Sequence, residues 1–249
     1  MNLAEAISDF LQRRKLRNDA ADALTQPDSL LLLADYFPAV AALEDVTPER
    51  LRDFLGRWYA EEAQSSRQGD SGSFPARIPD PQTLTDRLEQ FFAWANQQAG
   101  AGIVEECFSM LAEFRQTLPH ALQIAAALAE HTRQRGAFAF PEFLTSFEQG
   151  GQSRYDIDAP GDVGALDGYF RIMRVEGGAA EAEELISEAT IWPVIFSEDV
   201  AHLLRPGYIL NLEIIRAADG WHIADYGFVY PPGVDVMRAD SGKADHHAG

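Results

Sequence analysis

Few residues of this 249-residue chain have the types and spacing that chemistry needs. Cys107 is its one cysteine, which leaves no disulfide framework and no cysteine-based zinc site. It falls on an apolar face with Ile103, Val104, Met110, Leu111 and Phe114, where an inert buried thiol is expected rather than a nucleophile. His120 and His131 lie beyond ligand spacing on one helical stretch, and His246-His247 belong to a tail, so no metal ligand and no cofactor site is expected. Glu105-Glu106 and Glu181-Ala-Glu-Glu184 could hold a cation but read as solvated faces, since no positioned partner shifts a carboxylate toward acid chemistry. Glycine-rich dinucleotide and phosphate loops, HExxH and the G-x-S-x-G elbow are all missing. Two sets remain. Trp221, Tyr226 and Tyr230, with Phe228 and the Pro231-Pro232 exit, could line a groove that stacks a peptide or single-stranded nucleic acid, although filling a core is the preferred reading. Arg50, Arg52, Arg57 and Arg87 could meet phosphates.

The elements that must position those arginines are two capped amphipathic helices within Asp45 to Gly100. In the first, Thr47 is placed to cap, Pro48 takes the first helical position and Glu49 meets the positive end of the dipole. Leu51, Phe54, Leu55 and Trp58 recur on one face of a 3.6-residue period. In the second, Asp80 or Thr83 can cap, Leu84, Leu88, Phe91, Phe92 and Ala95 form the apolar face, and Gly100 offers a stop. The intervening Gln64 to Pro79, rich in Ser, Gly and Pro, reads as a mobile loop.

Val46-Thr-Pro-Glu-Arg-Leu-Arg-Asp-Phe-Leu55 and Arg87-Leu-Glu-Gln-Phe-Phe-Ala-Trp-Ala95 together resemble the N-terminal core-binding (SAM-like) domain of phage integrases and other tyrosine recombinases. There, a helix opening in the manner of "ITPE" precedes one carrying an RL-x-x-FF-x-W-A pattern. The resemblance covers about residues 1–100 and implies a helical fold that contacts DNA. It also implies a partner domain with an Arg, a Lys, an HxxR pair, a His or Trp and a nucleophilic Tyr. His202-Leu-Leu-Arg205 spells HxxR, and Trp221, His222 and Tyr230 follow. The surroundings depart from the pattern: Arg205 runs into Pro206-Gly207 and a hairpin, the spacing is short, and no upstream Arg has the family's context. Residues 28–45, where such domains carry basic residues, contain none. No catalytic residue is assigned, and no enzyme is expected.

The rest of the chain reads as follows. Leu3, Ile7, Phe10 and Leu11 face one side of a first helix ending in Arg13, Arg14, Lys15 and Arg17, cations that complement its dipole. Pro27-Asp28-Ser29 starts a second. Residues 101–149 form a helical extension packing on the first domain, with one helix along Ile103–Phe114, another from Pro119 to Arg135, and a short turn or helix at Pro141 to Phe147. Residues 150–165 read as a linker, and 236–249 as a disordered tail. Between them, strands at Tyr169–Val175, Ala182–Glu188 and Thr190–Phe196, a short helix capped by Ser197, and a hairpin of Tyr208–Ala217 with Trp221–Tyr230 predict a small domain over 166–235. The fold class expected is α+β: an all-helical N-terminal bundle followed by a small β-barrel-like domain of SH3-like or OB-like type.

Charge limits the function. The net charge is −19, unfavourable for binding a phosphate backbone. Residues 1–100 hold 10 Lys+Arg against 16 Asp+Glu, so the helical part is nearer balance than the remainder, with 10 against 23. No apolar run approaches a membrane span and no secretory leader is recognisable at the start, so a cytoplasmic protein without a membrane partner is expected. The expectation is a non-catalytic binding protein resembling an isolated core-binding domain and contacting DNA through residues 1–100. The alternative is an acidic adaptor that binds protein and no nucleic acid.

Overall fold

The computed structural model describes residues 2–17, 29–38, 40–68, 78–100, 102–136 and 164–237. The chain divides into two compact units, Met1–His120 with Val234–Gly249, and Ala121–Gly233. The expected turn at Pro141 to Phe147, most of the 150–165 linker and the tail beyond Met237 lie outside the described residues.

The first unit is helical. Its elements are α1 (Leu3–Arg17), α2 (Leu30–Tyr36), a single 3₁₀ turn (Leu43–Asp45), α3 (Pro48–Asp53), a π-helical turn (Phe54–Trp58), α4 (Tyr59–Gln68), α5 (Pro81–Ala99) and the N-terminal part of α6 (Glu105–Gly136). The caps read from sequence are the ones used. Thr47 Oγ1 accepts from the Arg50 N–H at 3.3 Å, and Asp80 Oδ1 accepts from the Thr83 N–H at 3.0 Å. Gly100, at φ 59°, closes α5 with its N–H on the Ala95 carbonyl. Leu51, Phe54, Leu55, Leu84, Leu88, Phe91, Phe92 and Ala95 are all fully buried. Each large side chain among them contributes about 1.5–3 kcal/mol of transfer free energy.

Two expectations are corrected in this unit. The loop expected from Gln64 does not start there, because α4 runs on to Gln68 and Gln64 is buried at 2% exposure; residues 69–77 of that loop lie outside the described residues. Two helices were expected across 103–135, yet α6 is continuous for 32 residues with Pro119 inside it. Leu118, Ala121 and Leu122 carry the buried stripe straight past the proline. Pro119 costs one N–H toward the Arg115 carbonyl, and burial on both sides outweighs that loss.

The second unit begins at Ala121 in α6. It continues with β1 (Ala165–Glu176), β2 (Ala179–Glu184), β3 (Thr190–Ile195), α7 (Glu198–Ala201), β4 (Ile209–Ala217) and β5 (Gly220–Tyr230). The N-terminal helical part and C-terminal sheet thus match the coarse expectation. Pairing follows the order β1-β2-β3-β5-β4 and returns from β4 to β1. Closure is uneven: β3 and β5 run parallel and share only Val194↔Trp221 and Ile195↔His222, whereas β4 and β5 are matched along most of their length. Inward side chains Phe170, Ile172, Val194, Leu210, Leu212, Ile214, Ile223 and Val229 form one core with Ala121, Ile124, Ala125 and Leu128 of α6. The helical stretch from Ala121 is therefore part of this unit's core rather than an extension of the first.

Local chemistry sets the strand ends. Gly177 and Gly178, both at positive φ, turn β1 into β2. The Glu184 carboxylate accepts from the N–H groups of Ile186 and Ser187 and from the Ser187 hydroxyl, fixing the next turn. The strand expected over Ala182–Glu188 consequently starts and ends earlier. Gly220, at φ +146°, opens β5 where a Cβ would lie 2.8 Å from the Pro193 carbonyl oxygen, so only glycine fits.

Candidate functional site

The four arginines of the helical unit have distinct surroundings. Arg57 donates to both oxygens of Asp53, Nε to Oδ1 at 2.7 Å and Nη2 to Oδ2 at 3.0 Å, one helical turn earlier. Tyr36 of α2 donates its hydroxyl to the same Oδ2 at 2.5 Å. Burial, then this donation and the Asp53 charge, push the Tyr36 phenol well above the ordinary tyrosine range. Phe54 and Trp58 stack on each other at 5.6 Å, with the Tyr36 ring beside both. Arg52 lies 3.6 Å from Glu113 and over the Phe114 ring at 5.7 Å. Arg50 sits over the Phe37 ring at 5.7 Å, and Arg87 Nη1 lies 3.5 Å from Gln90 Oε1. Arg50, Arg52 and Arg57 share the α3–π-turn segment, while Arg87 belongs to α5. Of the four, Arg57 alone is held bidentately, in a compact Tyr–Asp–Arg cluster.

The sequence reading missed Tyr36 and Asp53. Their separation of 17 residues carries no local signal, and only the packing of α2 on the π-turn region brings them together. Cys107 is buried as expected, its Sγ 4.0 Å from the Val46 carbonyl oxygen, and burial followed by the Glu106 charge raises its pKa. No group of three or more His, Cys, Asp or Glu among the described residues could hold a metal ion.

In the sheet unit, the aromatic residues assigned to a groove separate. Trp221 (8% exposed) and Tyr230 (1%) are core residues, and Tyr226 is half-buried against that core. In the β5 register Trp221 lies opposite Arg216, whose guanidinium covers its ring at 5.7 Å, and Tyr230 lies opposite buried Ile209 and meets the Tyr169 ring at 6.1 Å. The HxxR residues serve the end of α7. His202 Nδ1 lies 2.9 Å from the Glu198 carbonyl oxygen, and Arg205 Nη1 donates to the carbonyls of His202 and Leu204 at 2.7 Å each.

Among the described residues, the exposed aromatic is Trp192 of β3, at 45%. The Arg174 guanidinium of β1 lies over its ring at 5.3 Å from the centroid. Glu176 and Glu181 hold that guanidinium at 3.1 and 3.2 Å, and Arg171 pairs with Glu183 at 2.7 Å on the same strands. Met173, 47% exposed, stands at a β-bulge in β1 beside Arg174. Alternation read from Thr190 places Trp192 on the face of buried Val194. A register shift between Ala180 and Ala182 breaks that alternation and puts Ile191 and Val194 inside. An aromatic within a strand was the only sequence signal, and the bulge hid its orientation.

Where β1, β4 and β5 adjoin, Asp167 of β1, Glu213 of β4 and Asp225 of β5 face one another in register. Burial, then Asp225 and Asp167, raise the Glu213 pKa. No helix among the described residues is long and apolar enough to cross a membrane. Compared with protein-family models, with curated proteins and with solved structures, the chain matches none.

Proposed function

We propose that the chain is a binding protein without catalysis and that its partner is a protein rather than a nucleic acid. The observation that carries this reading is the bidentate Asp53–Arg57 pair with Tyr36 on the same carboxylate. A guanidinium held this way has already exchanged water for a carboxylate, so offering it to phosphate would first require breaking that bidentate pair. Arg52 is likewise near Glu113. With a net charge of −19, there is little left in the helical unit to release counterions from a duplex. His202 and Arg205 serve the chain's own backbone, which supports the absence of recombinase chemistry.

Within this reading, the sheet unit is a partly open Greek-key barrel of OB-like rather than SH3-like kind. The strand order, the helix between β3 and β4, and the parallel β3–β5 contact support that assignment. A reducing cytoplasm is the compartment proposed, from the single buried thiol. DNA contact through residues 1–100 is the second reading, favoured by Arg50 and Arg87, which meet no carboxylate among the described residues, and by the core-binding resemblance.

The test is duplex DNA binding by the full chain across a salt series. No retardation at low salt is the expected result. Binding that weakens with salt, and further in Arg50→Ala and Arg87→Ala, would establish the second reading instead.

A further inference from the structure

Arg174 and Trp192 define more than an ornament on the sheet. One guanidinium is held between an indole face and two carboxylates, those of Glu176 and Glu181. That arrangement is complementary to a guanidinium on three sides: ring electrons above, acceptors at the edge. All its members are accessible, with Arg174 57%, Glu176 66% and Glu181 32% exposed at the side chain. Exposed ion pairs of this kind contribute little to stability, so the internal arginine is readily exchanged. Around it, residues 171–195 carry Glu176, Glu181, Glu183, Glu184 and Glu188 against Arg171 and Arg174. This balance repels phosphate and attracts cations. Met173 and Ile186, the latter 69% exposed in the β2–β3 turn, add apolar surface on the same strands and turn.

We propose that the β1–β2–β3 face around Trp192 docks an arginine-containing basic peptide segment of a protein partner, an incoming arginine replacing Arg174 on the Trp192 ring. The incoming guanidinium takes the cation–π contact and the Glu176 and Glu181 carboxylates, and Arg174 swings to solvent. The proposal rests on the protein-partner reading above and names the chemistry of that partner. A stacked cation of this kind is worth about 0.5–2 kcal/mol, which corresponds to roughly a two- to thirtyfold change in affinity.

The probe is a fluorescent hexa-arginine peptide titrated onto the full chain, with a fluorescent oligothymidylate in parallel. Trp192→Ala should weaken peptide binding about tenfold. Arg174→Ala should strengthen it, because the internal competitor is gone. Arg133→Ala removes a positive charge from an exposed position, 71% at the side chain, and should change little. Equal binding by the wild type and Trp192→Ala would mean that the peptide merely follows net charge, and would overturn the proposal. So would a gain in Arg174→Ala no larger than in Arg133→Ala, or oligothymidylate binding that depends on Trp192. The proposal fails here even when the DNA series is negative, whereas salt-dependent duplex binding removes the reading beneath it.

Discussion

Tyr208 shows how one buried side chain leaves a mark on stability. It is 5% exposed, and burial pushes its phenol from 10.0 up to about 12, against a smaller opposing effect of the Arg205 charge. The folded chain therefore keeps a proton that the unfolded chain releases first. The stability this contributes is complete below the unfolded value of about 10 and is lost as pH rises toward 12. Tyr36 acts in the same direction. Urea midpoints measured at about pH 9 and about pH 11 should fall in the wild type and fall less in Tyr208→Phe. An identical fall in both would show that other groups govern the alkaline limb.

At the scale of elements, the π-turn between α3 and α4 is explained by what sits on it. A Cβ on Gly56 would lie 2.3 Å from Val234 Cγ2 and 3.2 Å from the Phe114 ring. The widened turn and the missing side chain together make room for a valine that returns from the far end of the chain. Gly56→Ala should destabilise the protein by about 1–3 kcal/mol through overpacking, despite alanine's better helix propensity. In a Val234→Ala background, the cost of Gly56→Ala should shrink by more than half, a coupling that thermal unfolding of the four variants reads directly. Additive effects would mean that Val234 does not occupy the gap. The local signals of this region, Thr47-Pro48-Glu49 and the i, i+3, i+4, i+7 apolar face, announced a helix correctly. They could not announce the π-turn, because Gly56 owes its role to a residue 178 positions later.

The whole molecule divides where no composition change marks it. The first unit extends to His120, and α6 supplies part of its core: Cys107, Met110, Leu111 and Phe114 are buried there. Phe108 meets Phe92 at 6.3 Å, and Arg115 bridges Asp86 and Glu89. A fragment of residues 1–100 leaves Val46, Arg52, Gly56 and Phe92 without Cys107, Phe114 and Phe108. It should show helical far-UV circular dichroism with a broad, weakly cooperative melt, in contrast to the full chain. A sharp melt would show that the first 100 residues are a self-sufficient domain, as the resemblance to core-binding domains implies.

What the sequence by itself determined was local or periodic: the caps at Thr47, Asp80 and Gly100, the buried faces of α3 and α5, the β4–β5 hairpin, the order of helices before sheet, and the net charge. Each rests on residues within one or two turns of one another, where backbone hydrogen bonding and side-chain periodicity act alone. The tertiary structure decided what depends on distant partners. Pro119 stays inside a helix because both its flanks are buried, Arg57 is tied through Asp53 to a tyrosine from another helix, and a bulge turns Trp192 outward while Trp221 and Tyr230 are buried. Residue type states what a side chain can do, and packing decides which water, carboxylate or ring it meets.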